Sequence, residues 1–155
     1  MQHSHHESNK HYGHLAIMTV LSFIAMYILM YAMVDRFENV YPNFNQFYMA
    51  GLMAMPMVLI ELAVMKGMYK DKKLNAAFIG VSILLGIAFF IGIRQQAAIG
   101  DDQFLKSMIP HHASALLMCE KTSVQDAEIQ GLCKTILSGQ QAEIDQMKAI
   151  LTRLD

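Results

Sequence analysis

The chain is poor in charge. Of its 155 residues only 16% are Asp, Glu, Lys or Arg, against about a quarter in ordinary soluble domains, while 54% are hydrophobic. A water-exposed surface of the usual kind is excluded, and a bilayer is the expected solvent. Nor is there an excess of one sign, since 12 Lys and Arg stand against 13 Asp and Glu. That balance, with lysines gathered at one connection, excludes an extended basic face for nucleic acid. The short signatures of catalysis are also missing: no Ser/His/Asp pattern, no phosphate-binding glycine loop and no H-E-x-x-H helix occurs. No enzymatic activity is expected.

What is present begins with three apolar runs, at residues 15–34, 47–65 and 76–93, each near the ~20 residues that cross hydrocarbon. The first is too long for a removable signal peptide and lacks a small-residue cleavage site, so it reads as a retained span. The connection after the second run carries Lys66, Lys70, Lys72 and Lys73, whereas the first has only Arg36 against Asp35 and Glu38. The lysine-rich loop should face the cytoplasm. A bacterial inner-membrane protein follows, with a cytoplasmic N-terminus and a periplasmic C-terminal segment. Glu61, the one acid inside a span, is a functional candidate by default, but its place near the cytoplasmic end equally suits snorkelling or a pair with Lys66.

After residue 93 a polar break ends in Gly100-Asp101-Asp102, where an Asp N-cap is expected. Phe104, Leu105, Met108, His112, Ala115, Leu116 and Cys119 then recur with helical spacing up to a turn near residues 122–125. Ile129, Leu132, Cys133, Ile136, Gln140, Ile144, Met147, Leu151 and Leu154 repeat the pattern. This predicts an antiparallel hairpin. Pro110 falls inside its first helix, predicting a kink and a freed carbonyl open to hydration. The chain thus divides into a His-rich tail (1–14), a transmembrane region (15–94) and a hairpin (101–155). So small a hairpin has too little interior alone, and dimerisation into a four-helix bundle is expected, assisted by the membrane spans.

The hairpin gathers soft donors. Thioether, imidazole and thiolate favour Cu(I), with Ag(I) as the related ion, whereas magnesium and calcium demand oxygen. Met108 lies within one helical turn of His111 and His112. The two histidines diverge by about 100° around the axis, so at most one points into the seam, and His112 is expected inward with Ala115 and Cys119. Met118 is two turns beyond His111, roughly 10 Å of rise, and needs a second ion or another helix. Across the turn, Met108 and His112 should meet Gln140, Glu143, Ile144 and Met147. Cys119 should oppose Cys133, as a disulfide, as free thiols or as copper ligands.

These residues resemble a known family, domain-of-unknown-function family 305, ferritin-like proteins some of which bind copper. The resemblance runs from Asp101 to Leu151. It rests on Asp101-x2-Phe104-Leu105-x2-Met108-Ile109-Pro110-His111-His112-x5-Met118 and on Ile136-x3-Gln140-x2-Glu143-Ile144-x2-Met147. It implies an all-α helical bundle and extracytoplasmic copper binding, with Met108, His111, His112, Met118 and Met147 as ligands. The chain departs from the family pattern at Ala113 and Cys119, and in lacking tryptophan.

Other features carry less specific chemistry. Met26, Met30 and Met33 follow one face of the first span, and Met49, Met53, Met55 and Met57 fill the start of the second. They read either as a thioether path for Cu(I) or as flexible apolar packing. The tract with His3, His5 and His6, followed by His11 and His14, is a candidate for copper, nickel or zinc, although a reducing cytoplasm disfavours Cu(II). The expectation is an inner-membrane protein whose hairpin handles copper, alone or with other copper-handling proteins. The rivals are a structural or assembly subunit with an oligomerising hairpin, and a small Met-lined transporter.

Overall fold

The computed structural model describes residues 2–154, with side chains from residue 10 onward. Among the described residues five helices form: α1 (Gln2–Leu29), α2 (Phe44–Val64), α3 (Lys72–Gln95), α4 (Asp101–Lys121) and α5 (Ala127–Leu154). Two 3-10 turns, Met30–Met33 and Phe37–Asn39, lie between α1 and α2. Among the described residues no strand occurs, so the protein is all-α. Three segments, Lys10–Met33, Phe44–Val64 and Lys72–Gln95, are long and apolar enough to cross a membrane. The side chains of His3, His5 and His6 lie outside the described residues.

Two compact units form, and they do not follow chain order. One joins the residues up to Leu29 with Phe47–Ala97; the other joins Met30–Gln46 with the chain from Ala98 onward. In the first, the interior is thin and the outside greasy. Leu21, Ile28, Val64 and Leu84 are each at least 60% exposed, as expected of helices whose solvent is lipid. Close approach of α2 to α3 depends on glycine. A Cβ on Gly51 would stand 2.5 Å from the Phe89 ring, and one on Gly92 would stand 3.4 Å from the Tyr48 ring. Small residues at such crossings let apolar backbones pack where no water is squeezed out.

At one end of that unit Tyr12, Leu15, Val58, Leu62 and Tyr69 form a buried cluster. The Tyr12 hydroxyl donates to Asn75 Oδ1 at 2.7 Å, and the Asn75 amide donates to the Tyr69 carbonyl at 2.9 Å. Asp71 caps α3, its carboxylate accepting from the N–H groups of Lys73 and Leu74. Glu61 finds its partner in Tyr69, whose hydroxyl donates to Oε1 at 3.3 Å, and not in Lys66.

The second unit is the α4–α5 hairpin with a cover. Leu105, Ile109, Ala113 and Leu116 of α4 bury against Ile144, Met147 and Leu151 of α5, joined by Val34 and Tyr41 from the segment before α2. The expected Asp N-cap of α4 is not formed. Gly100 occupies that position, and Asp101 and Asp102 sit in the first turn, where their charge favours the helix through its N-terminal dipole. Asp126 caps α5, accepting from Glu128 and Ile129.

Candidate functional site

Ile109 and Ile144, neither with exposed surface, fix how α4 and α5 face each other. With the seam pinned there, His112 is carried inward and is 9% exposed, while its neighbour His111 points out, its ring 5.8 Å away. The 100° divergence between consecutive helical residues produces that split. His112 is held at both nitrogens. Nδ1 lies 2.9 Å from the Met108 carbonyl oxygen, and Nε2 lies 2.8 Å from Glu143 Oε2.

A carbonyl oxygen only accepts, so Nδ1 must donate, and Nε2 is the nitrogen turned to the carboxylate. The Nδ1 bond to backbone also orients the ring, an arrangement common among metal-bound histidines, and an ion at Nε2 would take the place of the Glu143 contact.

The antiparallel register then aligns the sulfurs. Met108 precedes His112 by one turn on α4, and Met147 follows Glu143 by one turn on α5, so the His112–Glu143 contact places Met108 opposite Met147. Both belong to the same apolar cluster, Met147 being 9% exposed. Cys119 and Cys133 are disulfide-bonded, their Cα atoms 5.3 Å apart, near the turn end of the same seam. Their thiolates are consumed by the bond. Among the described residues no three His, Cys, Asp or Glu side chains cluster, so any metal here would depend on methionine sulfur. The donor set of two thioethers, one imidazole and a flanking carboxylate suits a soft monovalent ion.

The remaining candidates are not gathered. Met118 is 53% exposed and turned away from the seam. Met49, Met53 and Met57 form an exposed stripe on α2, whereas Met55 is buried beside Gly86. Met26 and Met30 are half-buried and Met33 is exposed. His11 is half-buried and His14 exposed.

Sequence reasoning missed the segment that covers the hairpin. Pro110 has no N–H to give the Lys106 carbonyl, and that oxygen accepts instead from the Asn43 amide at 3.3 Å. A side chain satisfies it. Next to it, Gln103 Oε1 accepts from the Phe44 N–H and Asn45 donates to the Ser107 hydroxyl. The signal available in sequence was the conjunction of one orphaned carbonyl in α4 with the amide-rich Asn43-Phe44-Asn45-Gln46.

Comparison with known proteins adds the family. Residues 89–151 match the family described as Domain of unknown function (DUF305), a stretch that starts within α3, before the hairpin. The chain is 32% identical over 140 residues to a protein of Acanthamoeba polyphaga mimivirus named "Uncharacterized protein L153", covering 88% of this chain and 90% of that one. No solved structure matches. The chain therefore belongs to the same family as that viral protein, and its residues 89–151 match the DUF305 domain.

Proposed function

We propose that this is an inner-membrane protein whose extracytoplasmic hairpin binds Cu(I), with Ag(I) as its soft analogue, in copper handling or tolerance. The observation that carries the reading is the alignment of Met108 and His112 on α4 with Glu143 and Met147 on α5. Met108 lies one helical turn from His112 on α4, and Met147 one turn from Glu143 on α5, in a seam walled by Ile109 and Ile144 where the His112 ring is held by its Nδ1 bond to backbone. Thioether and imidazole together select Cu(I) over hard cations. The lysine-rich loop favours a cytoplasmic position for itself, which puts the hairpin on the other side. A disulfide between Cys119 and Cys133 suits that oxidising compartment.

A second copy fits the same reading. Phe104, His111 and Met118 fall at seven-residue intervals on α4 and are all exposed, a stripe of coiled-coil spacing, apolar at two of its three positions, that a partner hairpin would bury in a four-helix bundle. His111 and Met118 would then meet their counterparts and offer a separate place for an ion. Other copper-handling proteins are the natural source or recipient.

Competitive Cu(I) titration of the whole protein against a chromophoric chelator tests the site. Met108→Ala, His112→Ala and Met147→Ala are each expected to weaken binding by about tenfold or more, as loss of ordered ligands does. Unchanged affinity in all three would sink the hairpin site. His112 with both nitrogens satisfied also favours a second reading, an assembly subunit in which the His112–Glu143 pair is a structural link. Normal oligomerisation without any Cu(I) uptake would select it.

A further inference from the structure

The end of the membrane-spanning unit that holds the connection between α2 and α3 takes no part in the proposed copper site. Lys66, Lys70, Lys72 and Lys73 are all exposed there, and among the described residues none of them is ion-paired. Lys10 joins them, because Tyr12, half a turn further along α1, bonds to Asp71 and Asn75. The acids nearby are engaged elsewhere. Asp71 caps the backbone of α3, and Glu61 accepts the Tyr69 hydroxyl. Five cations, Lys10, Lys66, Lys70, Lys72 and Lys73, thus stand against two acids, Glu61 and Asp71, an excess of three positive charges.

Beside this end an apolar groove runs between α2 and α3. It comprises a cavity of about 320 Å³ lined by Leu59, Leu62, Asn75 and Ile83, and a second of about 270 Å³ that shares Leu59 and Ile83 and continues to Gly86 and Phe90. From Asn75 to Gly86 the helix rises about 16 Å, close to the ~15 Å depth of one leaflet's hydrocarbon. Asn75 does not polarise the groove, since its carbonyl takes the Tyr12 hydroxyl and its amide goes to the Tyr69 carbonyl. Apart from the buried Ser82, the rest of the lining is apolar, and the lysines stand at the Asn75 end.

From this juxtaposition we infer that the α2–α3 groove seats an anionic phospholipid, with its phosphate held by Lys70, Lys72 and Lys73 and an acyl chain lying along Leu59, Ile83 and Gly86. Clusters of lysine at a membrane boundary attract anionic headgroups, each contributing measurably near the surface. The apolar groove accounts for what a free phosphate ion would leave unused. This inference rests on the membrane reading of the three spans and is independent of copper.

The chain contains no tryptophan, so a single introduced one reports its own surroundings. The full chain carrying Ile83→Trp is reconstituted in phosphatidylcholine vesicles containing a small fraction of phosphatidylglycerol, with bromine on the acyl chains of one lipid or the other. Leu84→Trp, 69% exposed outside the groove, reports bulk lipid. Brominated phosphatidylglycerol should quench Ile83→Trp well beyond its bulk fraction, and Leu84→Trp only in proportion to it. Combining Lys70→Gln, Lys72→Gln and Lys73→Gln should cut the excess about fivefold or more. Equal quenching by both lipids at Ile83→Trp, an excess that survives loss of the lysines, or its abolition by millimolar inorganic phosphate overturns the lipid seat. Should Ile83→Trp not fold, Phe90→Trp, which lines the same groove, takes its place with the same outcomes. Failure of every brominated lipid to quench Leu84→Trp would instead overturn the membrane reading.

Discussion

His112 and Glu143 close the seam between α4 and α5 through a 2.8 Å contact, although one is almost buried and the other has a side chain 57% exposed. That asymmetry separates what each contributes. An ion pair with one partner in water is worth about 0–1 kcal/mol, so Glu143→Gln should lower stability by less than ~1 kcal/mol. His112→Ala also removes a packed ring and its bond to the Met108 carbonyl, and should cost about 2 kcal/mol. Urea unfolding of the two variants in the same detergent decides. Equal losses would mean that the charge pair, and not the packed ring, holds the seam.

The disulfide acts at the other end of the hairpin. Cys119 and Cys133 are 14 residues apart, and closing so short a loop should stabilise by ~3 kcal/mol relative to the open chain. Cys119→Ala, Cys133→Ala and the double variant should therefore lose similar amounts, because either single change already opens the loop. Hydrogen exchange should quicken in the last turn of α4 and the first turns of α5, where Ile129 and Leu132 are exposed. Amides around Ile109 and Ile144 should keep their protection. Loss of protection along the whole hairpin would show that the disulfide holds the seam and not merely its end.

Much of this hairpin could be read from residue order. Apolar spacing marks both helices, and the near-equal distances of Cys119 and Cys133 from the turn bring Met108 and His112 against Glu143 and Met147. The three helices long and apolar enough to cross a membrane follow from length and apolarity. Which methionines face inward could not be read, because Met suits any face of an apolar helix; the outcome, Met55 buried and Met49, Met53 and Met57 exposed, depends on where Gly51 of α2 and Gly86 of α3 let the two helices approach. The cover formed by residues 30–46 was hidden for another reason. Asn43 and the Lys106 carbonyl are 63 residues apart, and their match arises only once Pro110 has left that oxygen without its helical donor.

That match can be measured as a coupling. In the wild-type background Asn43→Ala should cost about 1–2 kcal/mol, since it strands the Lys106 carbonyl and also loses bonds to the Tyr41 carbonyl and the Gln46 N–H. Pro110→Ala restores a backbone N–H to that carbonyl. In its presence the cost of Asn43→Ala should shrink by about 0.5–1 kcal/mol. Strict additivity in the double-mutant cycle would show that water already serves the carbonyl and that the amide contributes only through its other bonds.

A pH dependence follows at the lysine-rich end. Burial, reinforced by the charge and hydrogen bond of Glu61, raises the Tyr69 hydroxyl above the ordinary phenol value of 10.0. In that interval the folded protein holds a proton that the unfolded chain has released, so the folded state binds more protons and stability falls as pH rises. The contribution of Tyr69 is fully present below pH 10.0 and lost as pH climbs through its raised folded value. Tyr69→Phe removes the ionisable group and the bond to Glu61 together. It should be somewhat less stable at neutral pH, yet show a shallower loss of stability than wild type between neutrality and the alkaline limit. Parallel declines in thermal unfolding over that range would place the alkaline sensitivity in groups other than Tyr69.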